Sequence, residues 1–225
     1  MIGEFAAARA MPKSRRALRA VAEAVLPSSL LVVRGPATRR RVALTFDDGP
    51  SELSLEYLEL LERHAARATF FLVGAECERR PDLVREMARR GHELGSHGHS
   101  HERFPELSAR RELDAELASS SALLPGSAGN HRWVRPPYGA LSLGTLISCA
   151  RAGLTLVLWS LDSEDWRTQS PRDVVARVSP HTVEPGSIVL LHEGQRWTLD
   201  ALGEIVPELE RSGYELVTVG ELLSG

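Results

Sequence analysis

Two adjacent carboxylates, Asp47 and Asp48, sit in the run Thr45-Phe46-Asp47-Asp48-Gly49-Pro50, directly after a short apolar stretch. Asp, Gly and Pro are all turn formers. Like charges abutting a buried strand are nevertheless costly unless something positive lies beside them. Candidate partners come from His97-Gly98-His99-Ser100-His101. One carboxylate with two neutral imidazoles is a ligand set suited to a divalent metal that keeps a position open for water. A cation so held keeps net positive charge, which acidifies water and polarises a carbonyl, the requirement of amide or ester hydrolysis. His97 and His101 converge on one side of a helical turn, whereas in an extended strand His97, His99 and His101 share a face. The spacing leaves His99 open, and a solvated or supporting role suits it better than ligation. Three more polar groups follow: Arg135-Pro136-Pro137-Tyr138-Gly139, Asp162-Ser163-Glu164-Asp165-Trp166, and Leu190-Leu191-His192.

Each group closes a strand-like segment. Strands are predicted at 42–46, 68–73, 93–96, 132–135, 154–160, 187–192 and 214–217. Between them, helical periodicity runs over 53–66, 81–90, 108–124, 141–152, 171–178 and 197–212, with Pro81 and Pro171 suited to first turns. Repeated βα units of this length imply a parallel sheet covered by helices. About seven of them point to an α/β fold closed into a distorted (β/α) barrel rather than an open sheet. In such a barrel all the strand ends carrying polar groups meet on one face, where active sites are built.

The 225 residues are 43% hydrophobic and 25% charged with a net charge of –3, values of an ordinary globular domain. The charge is uneven: residues 1–41 hold nine basic and two acidic side chains, so the remainder is strongly acidic. That balance argues against nucleic acid as the main partner. The sequence divides into a basic extension, 1–40, and a catalytic domain, 41–225. Within the extension, residues 14–26 carry an apolar helical stripe ending at Pro27, a composition suited to weak peripheral contact with a membrane. No stretch reads as a transmembrane span or a clean signal peptide, so a cytoplasmic location is expected. Cys77 and Cys149 lack any C-x-x-C spacing and read as small buried hydrophobes. Nothing in the pattern sets an oligomeric state.

Taken together, the five groups resemble the polysaccharide deacetylase family, also called the NodB-homology or carbohydrate esterase family 4 domain. The likeness runs from about Arg41 to about Leu223, with the family's five motifs in order. It implies a distorted (β/α) barrel and a divalent metal, commonly zinc with cobalt or manganese as alternatives, held by Asp48, His97 and His101. It further implies that Asp47 is the catalytic base, that Arg135 holds that base, and that the Tyr138 backbone N–H helps bind the oxyanion. Asp165 matches the acid that supports the catalytic histidine, and Trp166 the wall of the acetyl pocket. His192 matches that histidine, the proton donor, and Leu190 the apolar residue behind the acetyl methyl. The implied substrate is a glycan containing N-acetylglucosamine, such as peptidoglycan or a chitooligosaccharide. One departure is Gly98, where the family usually has a Ser or Thr whose hydroxyl braces the loop.

The roles form a consistent hydrolysis. Asp47 removes a proton from water, donors aimed at the oxyanion stabilise the tetrahedral stage, and His192 beside Asp165 protonates the departing amine. Two rivals are a non-catalytic glycan-binding barrel and an amidohydrolase acting on a ureide or cyclic imide. Some barrels of the first kind lose a metal ligand or the base, and the second usually depart from the metal set that is complete here. Trp133 and Trp159 lie within predicted strands and read as core. Trp197 could instead be a rim contact for a sugar ring. His64, His92, His131 and His181 read as surface or helix-end residues.

Overall fold

The computed structural model describes residues 25–107, 110–125 and 133–224. Its strands are β1 (Leu31–Val32), β2 (Arg41–Gly49), β3 (Thr69–Leu72), β4 (Glu93–Ser96), β5 (Trp133–Val134), β6 (Thr155–Val157), β7 (Leu161–Asp162), β8 (Ile188–His192) and β9 (Glu215–Leu216). Eight follow the order β1-β6-β5-β4-β3-β2-β8-β7, and β9 pairs with the start of β2. Every pair is parallel. The sheet curls into the expected distorted barrel, with a seam between β1 and β7, which share no ladder among the described residues. The helices are α1 (Ser54–Arg63), α2 (Gly74–Arg79), α3 (Pro81–Arg89), α4 (Arg110–Ala122), α5 (Leu143–Arg151), α6 (Pro171–Arg177), α7 (Arg196–Arg211) and α8 (Val219–Leu223). Among the described residues no helix is long and apolar enough to cross a membrane.

Strand alternation decides which side chains enter the barrel. On β2, Val42, Leu44 and Phe46 join the outer core with Leu58 and Leu61 of α1 and Leu202 and Ile205 of α7. Ala43 belongs to the inner core with Phe71, Ile188 and Leu190. Thr45 and Asp47 share the phase of Ala43 and face inward. On β8, Val189 and Leu191 pack outward while Ile188 and Leu190 pack inward, which turns His192 in as well. Asp47 and His192 are register partners across β2 and β8.

Several expectations need correction. The sheet reaches into the stretch assigned to the extension, because Leu31 and Val32 pair with Leu156 and Val157. The strand expected over 154–160 ends at Val157, and β7 follows as a separate piece. Two-residue strands are too short to show alternation, which is why β1 and β7 escape a pattern search. Helices α2 and α8 were missed for the same want of length, although α8 has a complete capping box between Thr218 and Glu221. Most of the helix expected at 14–26 lies outside the described residues, as does His131.

Candidate active site

Adjacent residues on a regular strand point to opposite faces, so Asp47 and Asp48 could not both enter the barrel from an unbroken β2. The strand is bulged there. Against β3, Asp47 pairs with Phe71 and Gly49 with Leu72, so Asp48 is the extra residue, with φ at +73°. A bulge re-aims the side chain it carries. Here it turns Asp48 to the same mouth as Asp47.

Asp48 Oδ1 lies 3.1 Å from His101 Nε2 and 3.5 Å from His97 Nε2. One donor atom from each of the three residues falls within 4.8 Å of the others, and His99 is not among them. Asp48 Oδ1 is buried yet accepts no well-formed hydrogen bond. An orphaned anionic acceptor facing two imidazole nitrogens is the environment a divalent cation completes. Burial acts to raise the Asp48 carboxyl, but the close imidazoles of His101, His192 and His97 hold it well below its ordinary value. His97 Nδ1 is 2.8 Å from the Arg135 carbonyl oxygen. A carbonyl only accepts, so Nδ1 carries the proton and Nε2 keeps its lone pair for a metal. Burial also pushes the His97 pKa down, which favours the neutral, ligating form.

The Arg135 side chain is fully buried. Its Nη1 donates to Asp47 Oδ1 at 2.7 Å and to Thr45 Oγ1 at 2.8 Å. Nε and Nη2 donate to the carbonyls of Val157 and Leu158, each at 3.2 Å, and the guanidinium lies 4.0 Å over the Phe71 ring. This fixes Asp47 by one oxygen and leaves Oδ2 toward the ligands, 3.6 Å from His97 Nε2. A carboxylate held this way keeps one oxygen without an arginine partner.

On the adjacent strand β8, His192 Nδ1 bonds Asp165 Oδ1 at 2.7 Å, and the His192 backbone N–H bonds Asp165 Oδ2 at 2.7 Å. Thr198 Oγ1 also donates to Oδ2, at 2.8 Å. Burial lowers the His192 pKa, but the Asp165 charge and hydrogen bond, followed by the Asp48 and Asp47 charges, outweigh it and push the value up to about 10. With Nδ1 committed to Asp165, Nε2 is the ring nitrogen outside that pair.

Tyr138 occupies a tight turn at φ +60°, half-exposed, with its ring 4.9 Å from that of His101. The glycine that follows is required: at Gly139 φ is +59°, and a Cβ would lie 2.7 Å from the Trp159 ring. Leu190 faces inward one alternation before His192 and is buried. Trp166 is half-buried beside Asp165. Trp133 and Trp159 are core residues, as expected. Trp197 is half-buried, packs on the outer core, and its Nε1 donates to the Asp165 carbonyl at 2.9 Å. His92 is not a surface residue. It is buried, its Nδ1 accepts the Ala68 N–H at 3.3 Å, and burial pushes its pKa down to about 4.

Sequence reasoning missed Glu193, which follows His192 and is buried behind the Asp48 turn. Its Oε1 accepts from the Ser51 N–H and Oγ, each at 3.0 Å, and from Ser54 Oγ. These bonds tie the end of β8 to the turn that follows Asp48. Its position directly after a motif histidine was the only signal that could have marked it.

The curled parallel sheet, with Asp48, His97 and His101 at its mouth and Asp47 and His192 on neighbouring strands, defines a metal-site α/β barrel. The chain belongs to the polysaccharide deacetylase family, whose sequence profile matches residues 34–157. A peptidoglycan-N-acetylglucosamine deacetylase of Bacillus cereus is 35% identical over 209 residues, which cover 88% of this chain and 94% of that protein. The Listeria monocytogenes peptidoglycan-N-acetylglucosamine deacetylase PgdA is 34% identical over 200 residues, 88% of this chain but 42% of its own length. The chain therefore spans less than half of that relative. Among solved structures, the Bc1960 peptidoglycan N-acetylglucosamine deacetylase, crystallised with an N-hydroxybenzamide ligand, superposes with a TM-score of 0.80 at 31% identity. The match covers 86% of this chain and 92% of that one.

Proposed function

We propose that the chain is a metal-dependent hydrolase that removes N-acetyl groups from a glycan containing N-acetylglucosamine, with zinc as the metal. The observation that carries this reading is the Asp48, His97, His101 cluster with a tethered carboxylate and a carboxylate-paired histidine beside it. A divalent cation held by those three residues would polarise the acetamide carbonyl and acidify water. Asp47, fixed through Oδ1 by Arg135, takes the proton of the attacking water on Oδ2. The turn at Tyr138 supplies a backbone donor to the oxyanion. His192 protonates the departing amine from Nε2, and Asp165 holds its ring and charge through that transfer. Leu190 and Trp166 bound the space for the acetyl methyl. Acetate release from defined N-acetylglucosamine oligosaccharides and peptidoglycan fragments, by zinc-reconstituted protein, is the test. Absence of release from every N-acetylated glycan by metal-loaded protein would overturn the reading.

The basic head supports a second, separate proposal. Nine basic side chains against two acidic over residues 1–41, next to an apolar stripe, favour salt-sensitive attachment to anionic membranes. Sedimentation with anionic vesicles should retain the full chain and release one lacking residues 1–24, a truncation that leaves β1 in the sheet. Equal behaviour of the two would end the idea.

A further inference from the structure

The two histidine ligands stand at the ends of a five-residue loop, and something must hold that loop in a shape that no repeating structure supplies. Gly98 and His101 both have left-handed backbone, at φ +79° and +63°. The loop's carbonyls are held from one side, where the Gly74 and Ala75 N–H groups of α2 donate to the oxygens of Gly98 and His99, each at 2.9 Å. Its N–H groups are held from the other. Glu116 Oε1, on α4, accepts from the His99 N–H at 2.7 Å, the Ser100 N–H at 2.6 Å and Ser100 Oγ at 2.8 Å. One turn further along α4, Ser120 Oγ meets Ser96 Oγ at 2.6 Å, and Ser96 Oγ accepts the Gly98 N–H at 3.2 Å.

Glycine at position 98 has no side chain to share in this work, and a larger residue there would be strained. A Cβ there would lie 3.1 Å from the Phe104 ring and 3.2 Å from Glu116 Oε1, on a backbone that L residues rarely adopt. The space beside the loop is occupied by the Glu116 carboxylate. Because Oε1 already takes three donors, it serves the loop rather than a cation. We propose that Glu116 is a positioning residue that fixes the spacing of His97 and His101, so that the metal site is preformed from α4. This rests on the reading above that those histidines hold a metal.

The test compares Glu116→Ala, Glu116→Gln and Asp114→Ala, the last on the same helix but exposed. Zinc affinity is measured by competition with a chromophoric chelator, and exchange of the His99 and Ser100 amide hydrogens is followed in metal-free protein. Glu116→Ala is expected to weaken zinc binding by about 10- to 100-fold, the usual effect of removing a residue that orients a ligand, and to speed exchange at both amides. Glu116→Gln keeps an acceptor oxygen in place and should restore both readouts to near wild type. Asp114→Ala should change neither. Unaltered amide exchange in Glu116→Ala overturns the proposal, as does zinc affinity equal to wild type or a loss matched by Asp114→Ala. A wild-type chain that bound no zinc would instead sink the metal reading, and the exchange arm would still judge the brace.

Discussion

Replacing Arg135 by Met is the sharpest test of how the base is held. The guanidinium is fully buried and gives four hydrogen bonds, and its partner Asp47 is almost fully buried too. Methionine fills similar space without charge, so the loss is electrostatic rather than a cavity. Removing one member of a buried ion pair strands the other and costs about 3–5 kcal/mol. Against a total stability of about 5–15 kcal/mol, that is a large fraction. Asp47→Asn should cost less, because the amide oxygen still accepts from Nη1 and Arg135 keeps Thr45, Val157 and Leu158 as acceptors. In the Asp47→Asn background Arg135→Met no longer leaves a buried charge behind, so the two losses should fall short of additivity by about 1–3 kcal/mol. Urea unfolding of the four metal-free proteins measures this through midpoints at constant slope. Additive losses, or an Arg135→Met variant within about 1 kcal/mol of wild type, would refute the reasoning, since a stranded buried carboxylate cannot be that cheap.

Three further outcomes follow from the same geometry. Asp47→Asn should retain bound metal while turnover falls by about two to four orders of magnitude, whereas Asp48→Asn should lose metal affinity and recover part of its activity in excess metal; elemental analysis with acetate release separates them. The alkaline limb of the pH–rate profile reports loss of the His192 proton, and Asp165→Asn removes the main interaction that lifts it from 6.5 to about 10, so that limb should move to lower pH in the variant. Burial raises the Glu193 carboxyl above 4.5. The folded state then holds that proton more tightly than the unfolded chain, and wild-type stability falls as pH rises from 4.5 through the folded value. Urea midpoints of Glu193→Gln across that window should lack this component of the slope.

What was legible in the sequence was what repeats or clusters. β2 sets Val42, Leu44 and Phe46 against Ala43, Thr45 and Asp47, whereas β8 is a continuous apolar run before His192, whose inward phase only the packing reveals. The polar groups at the strand ends likewise announced one face of a barrel. Glu116 and Glu193 announced nothing. Each is a single acid whose partners lie far off in the chain: Glu116 reaches Ser100 across 16 residues, and Glu193 reaches Ser51 across 142. His92 misled for a related reason, since Phe70, whose ring packs edge-on against it, comes from another element.

The adjacent carboxylates show how local chemistry and backbone must be solved together. Two acids side by side suggested a bound cation, but a regular strand would have sent one of them into the outer core beside Phe46. The bulge at Asp48 removes that conflict and also separates the two roles. Asp47 stays on the strand's inward phase, where Arg135 waits, and Asp48 leaves the ladder toward His97 and His101. Divided in this way, the two acids have different partners: Asp47 is tied by an arginine, and Asp48 has no arginine or lysine to pin it among the described residues. Glycine follows Asp48 because a Cβ at position 49 would fall 2.0 Å from Glu193 Oε2. A side chain at residue 49 would have to push the Glu193 carboxylate from its place beside Ser51 and Ser54, which ties the glycine of the first motif to the carboxylate that follows the last.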